Sequence, residues 1–376
     1  MAGVDRVDES YMRMALDCAR RGRGLVEPNP MVGAVIVKEG RLLAMGLHSR
    51  FGGPHAEVEA IRAATAAGAN VQGATMYVTL EPCCHVGKTP PCTDAILQSG
   101  ISRVVAAIED VDSRAAGRGL AILRNHGVEV VTGVCEAQAR SLLAAYVKLK
   151  SVRRPWVICK WAQTADGFLS PGGGQQWITG PAARTHVHEI RRWCSGVLVG
   201  VETLLADDPL LTCRLGPLDV AVRQPARLVL DSQLRTPPTC QLVRTANVSP
   251  VLVATLGESA ALKAGRAQKL IHAGVEIIEL PRGRGGVDLE ALLDELGRRE
   301  WTYLLVEGGA NVLSSFVYGQ LADELLVFVN PQMSGEESGP RPRFDLAAVR
   351  ERMTLGTEYV TEFGPDRLYR LLVPHG

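Results

Sequence analysis

The sequence predicts an α/β protein that folds as two domains, each built on its own sheet. The chain has 376 residues, which is more than one ordinary hydrophobic core accommodates. Hydrophobic residues make up 46% and charged residues 22%, a balance typical of globular proteins. Predicted strands and helices alternate along both halves, and the segment KSVRRPW at 150–156 interrupts them with charge and a proline. We therefore expect domains at residues 1–148 and 153–376.

The N-terminal half begins with an amphipathic helix. Apolar residues recur at positions 12, 15, 16 and 19, Asp8 is the predicted N-cap, and Gly22 ends the pattern. Two apolar runs around Glu39-Gly40 predict an antiparallel hairpin at 31–46. The pattern then predicts a helix at 55–68, a strand at 74–80, a helix at 91–100, strands at 101–108 and 128–133, and a helix at 136–150. A hairpin followed by strand–helix crossovers indicates a mixed sheet with helices on both faces.

The C-terminal half predicts a second, separate α/β sheet. A strand runs from residue 156 into a turn, and a helix follows at 179–196, with Thr179 as its cap and Pro181 in its first turn. The later pattern predicts strands at 196–200, 226–232, 250–255 and 275–280, a helix near 288–299, a strand at 302–309, a helix to about residue 319, and a strand at 323–329. The chain ends in a hairpin that turns at Gly364-Pro365-Asp366, so we expect an antiparallel end to this sheet.

Charge and hydropathy exclude several classes of function. The net charge is only +1, which removes the electrostatic case for a nucleic-acid partner or an anionic membrane. We find no apolar run near the roughly 20 residues that a membrane span needs. The first ten residues are acidic and polar, unlike a signal peptide, so we expect a cytoplasmic protein. Six of the nine cysteines lie singly in core-like segments and are expected to be buried thiols.

The remaining three cysteines lie within EPCCHVGKTPPC at 81–92 and indicate a metal site. Imidazole and thiolates suit Zn²⁺, and His55, Cys83 and Cys92 would leave the fourth tetrahedral position to water. His55 and Cys92 begin predicted helices, where free N–H groups and the helix dipole favour a thiolate. Glu57, two residues after His55, is placed to exchange a proton with zinc-bound water, as in zinc deaminases.

Other interpretations of this segment remain open. A His-x-Glu triplet alone is uninformative, and cysteines nine positions apart are spaced more widely than those of a zinc finger. The combination favours catalytic zinc over structural zinc, and a disulfide is least favoured in the expected reducing compartment. Adjacent cysteines rarely reach one ion together, so Cys84 is interpreted as a bystander or as a thiol next to the ligands.

The motifs carry a resemblance that covers nearly the whole chain. NPMVGAVIV, GLHSRFGGPHAEVEA and LEPCCHVGKTPPCTDAI resemble the cytidine-deaminase-like family and, within it, the bacterial bifunctional riboflavin-biosynthesis deaminase/reductases. KWAQTADG, QQWITG, LADDPLLTCR, DSQLR, VEGG and DELLVF follow in that family's order. The resemblance implies a cytidine-deaminase-like N-terminal domain and a dihydrofolate-reductase-like C-terminal α/β domain. It further implies zinc-dependent deamination of 2,5-diamino-6-(5-phosphoribosylamino)pyrimidin-4(3H)-one, then NADPH-dependent reduction of 5-amino-6-(5-phosphoribosylamino)uracil to the ribitylamino product.

For the first domain, the resemblance implies zinc ligands His55, Cys83 and Cys92 and the proton shuttle Glu57. The substrate contacts that it implies are Asn29, His48, His85, Lys88 and Thr89. Alternatively, Asn29 is a turn residue before Pro30 and His48 a polar residue at a hairpin end. Asp112 stands where the family has an asparagine, and a carboxylate cannot donate the amide's hydrogen bonds. Cys84 stands where serine is common.

For the second domain, VEGGANVL at 306–313 predicts a strand, a glycine turn and a helix, which suit a phosphate-bearing cofactor. The chain has no G-x-G-x-x-G after a first strand, so an ordinary Rossmann site is not expected. The NADPH contacts that the resemblance implies are Ala162, Trp177, Thr203, Asp207, Ser232, Gly309, Ala310, Asn311, Val312, Leu313, Ser314 and Ser315. The implied substrate contacts are Lys160, Gln175, Arg191, Leu211, Arg214 and Glu307.

Several of these positions also have plain structural interpretations. Asp207 and Asp208 could cap a turn before Pro209, and Arg191 could lie on a solvated helix face. Gln175 stands where serine is frequent in the family. Lys160 and Asp166 could each assist opening of the ribosyl ring, and the sequence does not choose between them.

Three hypotheses about function follow. The first is a two-site enzyme, a zinc hydrolase joined to an NADPH reductase, acting on a small phosphorylated pyrimidine. The second is a zinc deaminase of another base whose second domain is inactive. The third is a noncatalytic scaffold or nucleic-acid-binding module that keeps a structural zinc held by four protein ligands, and the near-neutral net charge speaks against the nucleic-acid role. The resemblance also implies a homo-oligomer formed through the reductase domain.

Overall fold

The computed structural model describes residues 6–86, 90–112, 115–169, 177–215, 223–257, 260–334 and 345–374, except for the side chains of residues 260–264. The chain separates into two compact units, residues 1–153 and 154–376. We find no helix in the described ranges that has the length and hydrophobicity of a membrane span.

The first unit is a sheet with flanking helices. Its strands are β1 (Gly33–Lys38), β2 (Arg41–Leu47), β3 (Thr75–Val78), β4 (Arg103–Ala106) and β5 (Glu129–Thr132). Its helices are α1 (Arg6–Arg20), α2 (Ala56–Ala66), α3 (Cys92–Ser99), α4 (Arg118–Asn125), α5 (Glu136–Leu142) and α6 (Ala144–Ser151). The spatial order of the strands is β2-β1-β3-β4-β5. β1 pairs antiparallel with β2 and β3, whereas β3, β4 and β5 run parallel, so the predicted mixed sheet is confirmed.

Two local predictions for this unit were wrong. Asp8 is not a helix cap but lies inside α1, where it is buried and receives hydrogen bonds from Tyr77 and Arg103. The predicted helix at 136–150 is two helices, because Leu143 leaves helical geometry between α5 and α6. Leu143 is buried in the core, so the apolar periodicity continues across the break and the sequence pattern hides it. α4 was not predicted.

The second unit is built on a longer sheet. Its main strands are β6 (Trp156–Thr164), β7 (Gly196–Gly200), β8 (Ala226–Leu230), β9 (Val251–Leu256), β10 (Val275–Leu280), β13 (Tyr303–Val306), β14 (Glu324–Asn330), β15 (Glu358–Phe363) and β16 (Asp366–Leu372). A separate two-stranded ribbon consists of β11 (Arg282–Gly283) and β12 (Gly286–Val287). Its helices are α7 (Pro181–Trp193), α8 (Val201–Asp207), α9 (Gln241–Arg244), α10 (Ala260–His272), α11 (Leu289–Arg298), α12 (Ala310–Tyr318) and α13 (Leu346–Arg352).

The strand order of the large sheet is β10-β9-β8-β7-β13-β6-β14-β16-β15. Neighbours from β10 to β14 are parallel, and β14, β16 and β15 are antiparallel, which confirms the predicted antiparallel end. The terminal hairpin pairs Phe363 with Asp366, so its turn is Gly364-Pro365, with Gly364 at φ 65°. The parallel strands are buried along most of their length, which explains their continuous apolar runs.

Some elements of this unit differ from the predictions. The cap of α7 is Gly180 rather than Thr179, although Pro181 does occupy the first turn. Helices α8, α10 and α13 and the β11–β12 ribbon were not predicted. The ribbon has two residues per strand, which is too short to produce an alternating pattern.

Candidate metal centre and dinucleotide cavity

Three side chains of the first unit converge on one point. The ligand atoms of His55, Cys83 and Cys92 all lie within 4.8 Å of one another. His55 Nδ1 is 3.3 Å from Cys92 Sγ and 3.4 Å from Cys83 Sγ. A tetrahedral zinc with Zn–S of about 2.3 Å and Zn–N of about 2.0 Å separates such ligands by about 3.5 Å. The donor set and its spacing therefore fit Zn²⁺ with one open position, and within the described ranges the cluster includes no fourth ligand.

The fold brings the ligands together from three elements. Cys83 follows β3 at the carboxyl edge of the parallel part of the sheet, His55 is the N-cap of α2, and Cys92 is the first residue of α3. The Cys92 backbone N–H donates to Cys83 Sγ over 3.4 Å. Hydrogen bonds from Cys92, together with the nearby His55, lower the pKa of the Cys83 thiol, which favours the thiolate that binds metal.

Glu57 lies beside this cluster in the first turn of α2. Its side chain is buried, and burial, followed by the charge of Cys83, raises its pKa to about 7. A carboxylate that titrates near neutrality can accept a proton and release it again. Glu57 is therefore a buried acid that interacts with Cys83, His55 and Cys92, and its role as a proton shuttle stays a prediction.

Asn29 and His48 lie together on the same side of the metal site. His48 Nδ1 donates to the Pro54 carbonyl over 2.9 Å, so Nε2 accepts from the Asn29 amide over 3.1 Å. The His48 and His55 rings make an edge contact, with 5.3 Å between their centroids. His48 directly follows β2 and so lies at the end of the hairpin, as the alternative interpretation has it, but it is buried, and burial lowers its pKa.

His85 is half-buried on the loop between Cys83 and Cys92. Its Nδ1 is shielded from solvent and has no hydrogen-bond partner within the described residues. The predicted substrate contacts Lys88 and Thr89 lie outside the described residues. Asp112 follows β4 and accepts backbone hydrogen bonds from Ala115 and Ala116 through its carbonyl, so it forms part of a turn.

The sequence analysis missed Glu81, which connects these loops. Its buried carboxylate accepts four backbone hydrogen bonds, from Asp110, Gly117, Gly119 and Leu120. Asp110 in turn accepts a hydrogen bond from the Tyr146 hydroxyl over 3.0 Å. Glu81 thus fixes the start of α4 and the loop after β4 against the strand end from which Cys83 follows. The only sequence signal was its position between a strand and the cysteines.

In the second unit, Arg191 and Glu307 form a bidentate ion pair. Arg191 Nε is 2.6 Å from Glu307 Oε1, and Nη2 is 2.9 Å from Oε2. Lys160 Nζ lies 3.7 Å from Glu307 Oε2. Burial opposes ionisation of Glu307, but the charges of Arg191 and Lys160 outweigh it and lower its pKa to about 2. Arg191 is therefore largely buried in an ion cluster and does not lie on a solvated helix face.

Further cationic groups surround this pair. The Arg214 backbone N–H donates to His188 Nδ1 over 3.3 Å. Burial, together with Arg191 and Arg214, lowers the pKa of His188 to about 4, so its imidazole is neutral near pH 7. Leu211 is buried and has a left-handed backbone, with φ 53°. His188 was not predicted, because one histidine on a helix carries no distinguishing pattern.

Asp166 lies on the turn after β6 and accepts a hydrogen bond from the Thr164 hydroxyl. Gln175 lies outside the described residues.

A cavity of about 1040 Å³, here called the C-terminal cavity, lies at the carboxyl ends of parallel strands β7, β8 and β13. Ligands of open parallel sheets bind at this edge. Eight of the predicted NADPH contacts line it, namely Thr203, Ser232, Gly309, Ala310, Asn311, Val312, Ser314 and Ser315.

Four predicted contacts are absent from its lining. Leu313 is buried beneath it, and Ala162 is on β6, two residues from Lys160 and on the same strand face. Trp177 is 54% exposed and stacks with the Arg184 guanidinium at 5.3 Å. Asp207 ends α8 and is exposed, and the adjacent Asp208 accepts from the Gln241 backbone N–H over 2.8 Å, a bond to the first residue of α9 rather than to a turn before Pro209.

The C-terminal cavity fits a dinucleotide. A Cβ at Gly309 would lie 3.0 Å from Thr203 Oγ1, and one at Gly308 would lie 2.8 Å from Val312, so glycines keep the N-terminus of α12 open. Buried Ser314 Oγ has no hydrogen-bond partner within the described residues. A helix N-terminus with free N–H groups and a donor hydroxyl is suited to a phosphate-bearing cofactor.

Comparisons with known proteins agree with both sites. The family model of the RibD C-terminal domain matches residues 155–369, and that of the cytidine and deoxycytidylate deaminase zinc-binding region matches residues 5–108. The riboflavin biosynthesis protein RibD of Aquifex aeolicus is 42% identical over 334 residues, 89% of each chain, and that of Escherichia coli K12 is 37% identical over 88% and 89%. The chain belongs to the RibD family.

Two solved structures extend the similarity to the fold. A RibD structure from Acinetobacter baumannii is 34% identical, with a TM-score of 0.84 over 98% of this chain and 99% of that one. A Thermotoga maritima structure, described as a diaminohydroxyphosphoribosylaminopyrimidine deaminase/5-amino-6-(5-phosphoribosylamino)uracil reductase, is 36% identical, with a TM-score of 0.83 over 98% and 99%. The predicted fold classes are thus confirmed. The protein is a bifunctional deaminase and reductase of riboflavin biosynthesis, with zinc and NADPH as its cofactors.

Proposed function

We propose that the first unit deaminates 2,5-diamino-6-(5-phosphoribosylamino)pyrimidin-4(3H)-one and that the second unit reduces 5-amino-6-(5-phosphoribosylamino)uracil to the ribitylamino product with NADPH. The observation that carries the proposal is the His55, Cys83 and Cys92 cluster beside the buried carboxyl group of Glu57. Three ligands of this kind are typical of catalytic rather than structural zinc. This supports a hydrolase over a scaffold.

In the deaminase site, each residue has a role that follows from its position. When bound, zinc lowers the pKa of its water towards 7 and so supplies hydroxide near neutral pH. With zinc held by His55, Cys83 and Cys92, Glu57 would accept a proton from the attacking water and pass it to the departing amino group, which leaves as ammonia. Asn29 binds the pyrimidine through its side-chain amide. The hydrogen bond from the Asn29 amide nitrogen to His48 Nε2 fixes the orientation of that amide. His85, Lys88 and Thr89 bind the rest of the substrate.

In the reductase site, the cationic cluster binds the phosphorylated substrate. The fork of Arg191 is oriented by Glu307, and Arg214 adds a second guanidinium suited to phosphate. Lys160 lies at the Glu307 carboxylate, where it can assist opening of the ribosyl ring. Leu211 and Gln175 contribute further substrate contacts, and Ala162, Trp177 and Asp207 are assigned to NADPH only by resemblance.

The experiment compares Glu57→Gln with Glu59→Gln, a matched control two residues along α2 whose carboxylate pairs with Arg62. Ammonia release from the diamino substrate should fall at least about 10³-fold in Glu57→Gln, because the proton shuttle is lost. Zinc content should stay the same, and NADPH oxidation with the deaminated product should persist. Full deaminase activity in Glu57→Gln would contradict the proposal.

The second candidate, a deaminase of another base with an inactive second unit, makes a different prediction. Its protein would not bind NADPH and would not oxidise it with the deaminated pyrimidine. The size and lining of the C-terminal cavity favour the two-site enzyme. Self-association through the second unit and the absence of a nucleic-acid partner are also proposed, and sedimentation velocity of the full chain with and without duplex DNA tests both.

A further inference from the structure

The β11–β12 ribbon lies across the C-terminal cavity. Gly286 approaches Ser232 so closely that an added Cβ would lie 2.5 Å from the Ser232 hydroxyl. At the ribbon tip, a Cβ on Gly285 would be 3.9 Å from Ser315 Oγ on α12. The ribbon therefore connects the wall after β8 with the wall formed by α12. Arg284, between the two strands, is exposed and lines the cavity.

Each acidic residue that lines the cavity has an ion-pair or hydrogen-bond partner within the protein. Glu202 pairs with Arg235, and Glu290 pairs with Arg154. Asp288 caps α11 through the backbone N–H groups of residues 290 and 291. Asp231 accepts from the backbone N–H and hydroxyl of Thr236, at 2.7 and 2.8 Å.

The cations of the lining are Arg235 and Arg284. Arg235 is neutralised by Glu202, whereas Arg284 has no ion pair among the described residues. Because Glu202 pairs with Arg235 and Glu290 pairs with Arg154, the carboxylates of Asp231 and Asp288 face the single unpaired guanidinium group of Arg284, and this excess of negative charge would repel a highly charged anion. Arg284 is the cation that can offset this repulsion, because it has no ion pair among the described residues. The hydroxyls of Ser232 and Ser315 lie close to the ribbon that carries it.

We propose that Arg284 binds the 2′-phosphate of the dinucleotide and so makes the reductase prefer NADPH to NADH. The inference rests on the proposed reductase function and names the residue that selects its cofactor. The N-terminus of α12 supplies backbone N–H groups for the pyrophosphate. The ribbon that carries Arg284 approaches Ser232 through Gly286 and Ser315 through Gly285, and neither contact is with the first turn of α12, so Arg284 is assigned to a second phosphate. A forked guanidinium matches a phosphate monoester better than an ammonium does.

The test measures equilibrium binding to the full-length protein by isothermal titration calorimetry. The probes are NADPH and NADH, and the fragments 2′,5′-ADP and 5′-AMP, which differ by the same 2′-phosphate. Arg284→Gln should weaken NADPH and 2′,5′-ADP about tenfold, because one charge-assisted contact is lost. NADH and 5′-AMP should bind as they do to the unaltered protein. Arg284→Lys should retain part of the preference.

Arg282→Gln is the matched control, because it removes the same charge from the same ribbon without lining the cavity. It should leave all four affinities unchanged. Equal weakening of NADPH and NADH by Arg284→Gln would overturn the inference and assign the cation to the pyrophosphate, and no weakening would also overturn it. If the unaltered protein binds neither dinucleotide, the reductase assignment itself fails, and the inference with it. Retained deaminase activity in each variant shows that the chain has folded.

Discussion

The Glu81 carboxylate holds the beginning of helix α4 through Gly119, whose backbone nitrogen lies 2.9 Å from Glu81 Oε1. Gly119 also packs closely against Pro82, the residue after Glu81. A Cβ added to Gly119 would lie 2.1 Å from the Pro82 carbonyl oxygen. Pro82 immediately precedes the metal ligand Cys83. Backbone contacts outside the cluster therefore determine where Cys83, a proposed zinc ligand, lies.

Gly119→Ala should destabilise the first unit and weaken metal binding. The obstructing atom is backbone, so either α4 or the Pro82 segment has to move, at a cost of about 1–3 kcal/mol. Urea unfolding and zinc content by mass spectrometry measure the two effects. Gly265→Ala is the control, because its Cβ meets nothing within 4 Å and α10 should gain stability from alanine. An unchanged zinc content in Gly119→Ala would contradict this account of Cys83.

Adjacent cysteines provide a direct test of the ligand set. Cys83→Ala should abolish zinc retention and deaminase activity, because two ligands hold the ion poorly. Cys84→Ala should retain both, since Cys84 is not part of the three-ligand cluster. Zinc content after dialysis and ammonia release report the result. Loss of zinc in Cys84→Ala would show that the ion uses a different ligand from the one that the geometry assigns.

Removal of the metal should separate the two activities. A chelator strong enough to remove zinc should stop ammonia release, because hydroxide is no longer available near neutral pH. Reduction of the deaminated product should continue, since the His55, Cys83 and Cys92 cluster belongs to the first unit. Readdition of Zn²⁺ should restore ammonia release. Simultaneous loss of both activities would contradict independent sites.

Buried Asp8 makes the stability of the first unit depend on pH. Hydrogen bonds from Arg103, more than any other cause, lower the Asp8 pKa from its usual value. A lowered carboxyl pKa adds stability above the unfolded pKa of about 3.9, and that stability is lost as the pH falls through the folded pKa. Asp8→Asn should therefore cost about 1.5–3 kcal/mol at pH 7. The difference from the unaltered protein should shrink in urea unfolding as the pH falls below about 3.9 and through the lowered pKa of Asp8.

Glu9→Gln is the control for this measurement. Glu9 pairs with Arg13 on the surface of the same helix, where an ion pair contributes about 0.5 kcal/mol or less. Its unfolding should change little at either pH. A pH-independent loss of stability in Asp8→Asn would mean that the packing of Asp8, rather than its charge, matters.

The same aspartate shows what a sequence pattern conveys and what it leaves out. Periodicity identified α1, but the pattern cannot show that Asp8 meets Tyr77 and Arg103, 69 and 95 positions away, so a polar residue near a helix start was interpreted as a cap. The sequence could indicate the proposed metal ligands His55, Cys83 and Cys92 because their residue types, order and predicted elements occur in combination and match the motifs of a known family, although neither spacing is distinctive alone. The sequence could not show that Glu81 accepts four backbone hydrogen bonds, because backbone groups have no sequence signature.

The reductase site shows a similar division. The glycine turn before α12 predicted a phosphate site, and residues Gly309 to Val312 do line the C-terminal cavity. The β11–β12 ribbon escaped prediction because its strands are too short for a period, yet it supplies the cation Arg284. Asp207 carries the same charge as its neighbour Asp208, and only the three-dimensional structure shows that the first is exposed while the second accepts a hydrogen bond from the Gln241 backbone N–H.

The bidentate pair of Arg191 with Glu307 predicts that lysine cannot replace this arginine. Arg191 donates two hydrogen bonds to Glu307 and a third to the Thr212 carbonyl. Lysine keeps the charge, but its single ammonium group cannot make all three of these bonds. Arg191→Lys should therefore lower kcat/KM for the phosphorylated uracil about tenfold or more at saturating NADPH. Arg192→Lys, on the exposed side of the same helix, should have no effect, and deaminase activity should be unchanged in both. Equal behaviour of the two variants would contradict a role for Arg191 in binding the substrate.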